Sequence, residues 1–187
     1  MSAKLPPIPV LDTPRLRLRT YADTDVDALF ALYADPRVTR YWSFAAWTER
    51  VQAEAYLERV RRERRHQEFY PWVIARREDD RMVGTTTLFS LSREHARCEL
   101  GYSLQSAHWG RGYAREAVGA ALGFAFEGLG LQRIESDIDP RNRASCNLVE
   151  KFGFQREGLL RERWRVAGET TDSLLYGLLK RGFVRPA

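Results

Sequence analysis

The segment RLRLRTY alternates apolar and polar residues, and a period of two marks a strand with one buried face. It predicts a first strand over residues 15–21, with Leu16 and Leu18 turned inward. The period then changes. In DTDVDALFALYAD, cap-forming residues precede Val26, Leu29, Phe30 and Tyr33 at helical spacing, which predicts a helix. Residues 48–66 repeat that spacing, with Ala53, Tyr56, Leu57 and Val60 on one face. Between the two helices, VTRYWSFAAWT (38–48) has no period and reads as an aromatic loop. FYPWVIARR and MVGTTTLFSL, separated by EDDR, predict a hairpin. CELGYSL (98–104) is a further strand, followed by a helix from Tyr113 to about Gly128. RIESDID (133–139) is a strand, and RASCNLVEKF is a short helix ended by Gly153. RERWRVAGETTDSLLYGLL predicts a last hairpin turning near Gly168.

Hairpin-joined strands followed by alternating strands and helices imply an α/β protein with a mixed, mostly antiparallel sheet and helices on its faces. Regular βαβ winding fits poorly. A length of 187 residues predicts one domain, placed at 10–182 with short tails at 1–9 and 183–187, and no linker or repeat interrupts it. Apolar residues at 44% suffice for a core of that size. Cys98 and Cys146 stand far apart with no metal-ligand spacing, so neither a disulfide framework nor a metal is expected. MSAKLPPIPVLDTP lacks the apolar run of a secretory signal, and no segment is long enough to span a membrane. A cytoplasmic location without a membrane partner is the expectation. The net charge of +5 inclines the chain toward an anionic ligand or partner.

The stretch SAHWGRGYAREAV sharpens that inclination. Gly110 and Gly112 lie between a predicted strand and a predicted helix. The first turn of a helix has backbone N–H groups without partners and carries the positive end of the dipole. Glycines there let the backbone approach a phosphate or pyrophosphate, with Arg111 and Arg115 adding charge. The alternative is that the two glycines only make a turn. Ala114, Ala117, Val118, Ala121, Leu122 and Ala125 give the helix a small-residue stripe suited to close packing. A Walker-type NTPase is excluded, because GxxxxGK[ST] is absent. GRGYA partly matches a dinucleotide turn, with Asp137 or Asp139 where a ribose-binding acid would sit. That turn belongs to a parallel βαβ unit, however, and its sixth position here is Arg115.

Three stretches, ELGYSLQSAHWGRGYAREAV, GLQRIESDIDPRNRASCNLVEKFGF and GLLRERWRVAGETTDSLLYGLL, resemble the GNAT-type N-acetyltransferases. With LDTPRLRLRTYADTDVDALFALYADPRV, the likeness extends over about residues 10–182 and is closest to the RimJ/RimL-like branch, which acetylates ribosomal-protein N-termini in bacteria. The resemblance implies a strongly curved mixed sheet, splayed in the middle, with acetyl-CoA in the splay. It places the phosphate loop at Trp109, Gly110, Arg111, Gly112, Tyr113 and Ala114. The family begins this loop with Gln or Arg, where this chain has Trp109; backbone amides form the cradle in either case. Asn142 matches an asparagine that bonds the pantetheine region or a nearby water, and Asn147 is a second candidate there or a solvated polar residue. In many members a tyrosine seven residues after that asparagine protonates the leaving thiolate; Val149 occupies the position here. The branch has a serine near the thioester sulfur, which corresponds to Ser145. By spacing alone Ser145 shares a face with Leu148, Val149 and Phe152, and is either a tolerated small residue or a working hydroxyl.

The implied chemistry is direct attack of an amine on a thioester. Placing two reactants together supplies up to about 7–11 kcal/mol in ideal cases. The amine must lose a proton. Glu99, which alternation puts on one face with Gly101 and Ser103, is the first candidate base or a strand glutamate paired with an arginine. Asp172 is the second, and a water chain the third. A strand amide near Ser103 or Leu104 would stabilise the developing oxyanion. His108 is either structural or part of the site. The arginines of RVRRERRHQE (59–68) are a solvated helix face or a contact for an acidic protein or ribosomal RNA. RYWSFAAW is core or a cover for the acceptor. The expectation is an acetyl-CoA-dependent N-acetyltransferase, monomeric or homodimeric, acting on a peptide or protein N-terminal α-amine. The alternatives are a small-amine acetyltransferase and a non-catalytic CoA- or RNA-binding module on the same fold.

Overall fold

The computed structural model describes residues 6–64 and 69–185; the expected second helix thus ends, at 65–66, outside the described residues. Strands β1 (Leu11–Asp12) and β2 (Leu16–Arg19) open the chain, followed by helices α1 (Val26–Ala34), α2 (Pro36–Thr39) and α3 (Val51–Arg64). A meander of β3 (Tyr70–Arg76), β4 (Met82–Ser92) and β5 (Arg97–Leu104) leads into α4 (Tyr113–Gly123), which a π-helical turn extends to Gly128. Then come β6 (Arg133–Ile138), α5 (Arg143–Lys151), β7 (Gln155–Val166) and β8 (Glu169–Leu179). The eight strands form one sheet in the order β1-β2-β3-β4-β5-β6-β8-β7.

Alternation divides the core between the two faces. Leu16, Leu18, Trp72, Ile74, Cys98 and Leu100 pack with the small-residue stripe of α4 and with Val149 and Phe152 of α5. Val73, Ala75 and Met82 face the other way, against α1 and α3. In α1 the buried face is centred on Leu29 and includes Leu32. Val26, Leu29 and Tyr33 are buried as predicted, while Phe30, about 100° around the helix from Leu29, is only partly covered and Leu32 is buried with them. The loop predicted at 38–48 likewise begins inside α2, where Pro36 supplies a helical φ and the Asp35 side chain caps by accepting the Arg37 N–H at 2.9 Å. Gly153 ends α5 at φ 95°, where a Cβ would collide with the Gly182 carbonyl.

All strand pairings are antiparallel except one. β5 and β6 run parallel, and they pair only at Arg97↔Arg133, Cys98↔Ile134 and Glu99↔Glu135. Beyond these, β5 pairs only with β4, and β6 only with β8. The Ser136 hydroxyl donates to the Leu100 carbonyl at 3.2 Å where the strands part. The sheet is thus splayed at its centre, as the resemblance implied. The glycine loop sits in a βα turn of the one parallel pair, a setting that the antiparallel look of the preceding strands concealed.

Candidate active site

Gly110 and Gly112 both have positive φ, 74° and 79°, and Gly112 is the N-cap of α4. No side chain caps this helix, so its first-turn amides remain available to a ligand. They border a cavity of about 510 Å³ in the splay. The structure brings together around it Ser103, Leu104, Trp109, Gly110, Gly112, Tyr113, Ala114 and Arg115 from one side and Asn142, Ser145 and Asn147 from the other. Arg111 does not line it. Its side chain is exposed, and its carbonyl accepts a hydrogen bond from Arg15 Nη1 at 2.9 Å. Asn142 caps α5 by accepting the Ser145 N–H at 3.2 Å, which places Ser145 in the first turn of that helix. Val149 is fully buried and apolar, as expected for a position without the tyrosine.

Three buried polar atoms lining this cavity lack any hydrogen-bond partner: Tyr102 Oη, Ser103 Oγ and His108 Nδ1. Leaving a buried polar group unpaired costs about 1–3 kcal/mol, a cost that a ligand's own polar groups would offset. Burial pushes the Tyr102 pKa up to about 12, and the nearby Ser145 hydroxyl acts against that rise. His108 is pushed down by burial and by the charges of Arg111 and Arg76, which keeps its imidazole neutral near pH 7. Tyr102 was not singled out from the sequence, because it alternates with core residues of β5. His108 lines the cavity beside the loop, so it belongs to the site's wall.

A second cavity, about 700 Å³, opens on the α1–α3 face. Seven aromatic residues line it, Phe69 and Phe89 among them, and five form one cluster: Tyr33, Trp42, Phe44, Trp47 and Tyr56. The Tyr33 ring lies 4.9–6.1 Å from the other four. The Tyr33 hydroxyl is paired with Thr85 Oγ1 at 3.0 Å. Arg59 stacks 5.0 Å from the Tyr56 centroid and lies 4.0 Å from Glu63, the one carboxylate lining this cavity among the described residues. Arg61, nearby on α3, bonds Glu58 and Asp23, so these two arginines of the basic run are engaged within the chain. Trp42 belongs to the walls of both cavities. Gly101 lines the second and Ser103 the first, two residues apart on one strand face. The cavities therefore meet through the splay.

The carboxylates divide by location. Glu99 is half-buried at the end of the parallel pairing, on the face shared with Gly101 and Ser103. Asp172, like Glu99, lines neither cavity; its Oδ1 accepts the Glu162 N–H at 2.8 Å and holds a bulge in the β7–β8 hairpin, where Glu162 has φ 54°. Asp139 is bound by Arg141 at 2.7 Å, which argues against a ribose-binding role for it. Asp137 points to the Glu99 side, with Trp164 Nε1 at 3.5 Å and Arg163 at 3.8 Å. Burial raises its pKa, Trp164 and Arg163 oppose that rise, and Glu99 adds to it. Sequence reading weighed Asp137 only as a ribose-binding acid. Its nearness to Glu99 depends on the parallel pairing, which no local pattern reveals.

Among the described residues no group of three or more His, Cys, Asp or Glu is placed to hold a metal, and no helix is long and apolar enough to cross a membrane.

The sequence profile of the acetyltransferase (GNAT) domain matches residues 15–155. N-acetyltransferase p20 of Bacillus licheniformis is 34% identical over 173 residues, which is 92% of this chain and 97% of that protein. RimJ of Mycobacterium smegmatis, solved with CoA-disulfide, superposes with a TM-score of 0.81 at 24% identity, covering 92% of this chain and 87% of that one. The spermidine N-acetyltransferase of Vibrio cholerae, solved with CoA and spermine, gives 0.80 at 21% identity over 91% and 98%. These two structural likenesses speak to the fold alone.

Proposed function

Because the chain belongs to the acetyltransferase (GNAT) family, we propose that it transfers the acetyl group of acetyl-CoA to the α-amine of a peptide or protein N-terminus. The observation that carries this reading is the meeting of two unlike cavities at Gly101, Ser103 and Trp42. One offers uncapped helix amides and unpaired polar atoms, which suit the pyrophosphate and pantetheine of acetyl-CoA. The other offers aromatic walls and, among the described residues, one carboxylate, Glu63, that faces an arginine. A polyamine needs several uncompensated carboxylates, whereas an apolar side chain next to a peptide's amine needs an aromatic wall.

Acetyl-CoA supplies the thioester when bound. The amides of Gly110 to Ala114 and the α4 N-terminus receive its pyrophosphate, with Arg115 adding charge at the rim. Asn142 and Asn147 border the pantetheine path. The amine enters from the aromatic side, and Glu99 takes its proton. An amide near Ser103 or Leu104 stabilises the oxyanion as the amine nitrogen bonds the carbonyl carbon; when the carbon–sulfur bond breaks, Ser145 relays a proton to the leaving sulfur and regains one from solvent, so that no alkoxide remains. Asp172 is the reserve base; its bond to the Glu162 N–H favours Glu99. An N-terminal amine has a pKa of about 8, against about 10.4 for a lysine side chain, so a carboxylate suffices at neutral pH.

The test compares kcat/KM for a peptide with a free N-terminus, its N-terminally blocked twin carrying a lysine, and spermidine. The free peptide is expected to be the best acceptor. Equal rates for the two peptides, or a higher rate with spermidine, would overturn the α-amine reading.

A further inference from the structure

The anion-binding end of α4 carries an acid of its own. Glu116 lies in the first turn of that helix, where a carboxylate would repel a bound pyrophosphate. It is held by groups about a hundred residues earlier in the chain. Arg15 Nε bonds Glu116 Oε2 at 2.7 Å, and the Arg15 N–H bonds Oε1 at 2.7 Å. Thr13 Oγ1 lies 2.6 Å from the same Oε1. The rest of the Arg15 fork reaches the glycine loop itself. Nη1 donates to the Arg111 carbonyl at 2.9 Å, the guanidinium stands 4.9 Å from the centroid of the Tyr113 ring, and Nη2 lies 3.3 Å from where a Gly112 Cβ would be. Arg15 thus touches or borders four residues of the segment between Arg111 and Glu116.

We propose that Arg15 is a positioning residue for acetyl-CoA: it neutralises Glu116 at the helix end and holds the loop in its ligand-receiving shape through the Arg111 carbonyl. The inference rests on the acetyl-CoA reading above. Two physical consequences follow from the contacts. With Arg15 gone, Glu116 keeps the Thr13 hydroxyl and the residue-15 N–H but loses its counter-charge at the helix end that receives the pyrophosphate. The Arg111–Gly112 peptide also loses its tether, while the thioester end of the site, formed by β5 and α5, is left untouched.

The experiment measures acetyl-CoA affinity by calorimetry and initial rates with two donors, acetyl-CoA and the acetyl thioester of N-acetylcysteamine, which has no nucleotide or pyrophosphate. Arg15→Gln is expected to weaken acetyl-CoA binding about tenfold, with the rate on the short thioester unchanged within about twofold. Removing the stranded charge as well, in Arg15→Gln/Glu116→Gln, is expected to recover most of the lost affinity. Arg15→Lys keeps the charge without the fork and is expected to lose about threefold; it carries the same donor comparison if the glutamine variant is unstable. Wild-type affinity in Arg15→Gln would overturn the proposal. So would equal losses with both donors, which would make the role merely structural, or a double variant no better than the single. A wild-type chain that fails to bind acetyl-CoA at all would overturn the underlying reading and the proposal with it.

Discussion

The two cavities that meet in the splay differ in what they offer a ligand. The one beside α4 has main-chain groups at its rim, uncapped amides and two glycines at positive φ, together with three side-chain polar atoms left without partners. The one beside α1 and α3 is made of side chains that are already in contact with each other, with the Tyr33 hydroxyl paired to Thr85. The first stores unmade hydrogen bonds and is specific for a ligand that completes them. The second is dominated by a ring cluster, with Gln52, Arg59, Glu63, Thr85, Thr87 and Ser90 among its other walls, so its shape depends on which ring is present. A donor common to a whole family fits the first design, and an acceptor that differs from member to member fits the second.

The largest effect is expected at Glu99, on the β5 face shared with Gly101 and Ser103. Glu99→Gln is expected to lower kcat by a hundredfold or more, at the order of magnitude of a lost general base, and to move or remove the low-pH limb of the rate profile. It also withdraws the charge that helps hold up the Asp137 pKa, so the Asp137 pKa is expected to fall. A limb that persists intact would make Glu99 structural and move the search for the base to Asp172 and Asp137. On the α4 side, Gly112→Asp puts a side chain at φ 79° and hands Arg15 a competing carboxylate. Acetyl-CoA affinity is expected to fall roughly thirtyfold in a protein that stays folded, as calorimetry alongside circular dichroism would record. Unchanged binding would refute the phosphate-loop assignment. Smallest is Ser145→Ala, expected to lower kcat about tenfold with little change in the acetyl-CoA KM. An unchanged kcat would mean that the thiolate takes its proton from water.

The same contrast governs what the sequence made legible. Alternation and helical spacing located most long elements, because most bury one face. β7 is exposed along nearly its whole length, and only its second half, next to the turn at Gly168, was legible. The glycine loop was legible because two glycines before a helix have few other uses. Tyr102 was not, since a tyrosine alternating with Cys98, Leu100 and Leu104 reads as core until its unpaired hydroxyl is seen in three dimensions. Trp42 could be placed in an aromatic loop but not on the wall between two cavities. Asp137 needed the parallel pairing of β5 and β6, whose strands lie some thirty residues apart in the chain. Arg15 was read as part of a strand, and only the folded chain brings it to Glu116. Pairings between distant segments follow from topology, and local periodicity carries no trace of them.

The Arg15–Glu116 contact also has a bearing on the order of events during synthesis. Its two ends are 101 residues apart. At about 5–20 residues per second, the N-terminal partner waits some 5–20 seconds for the other to be made. Contacts of such long range form late and slow the search for the native state. β2 to β5 can pair in sequence as neighbours while this goes on, since the sheet places them side by side in chain order. The nascent chain therefore has a half-sheet to fold into before the loop that receives the anion can take its final shape.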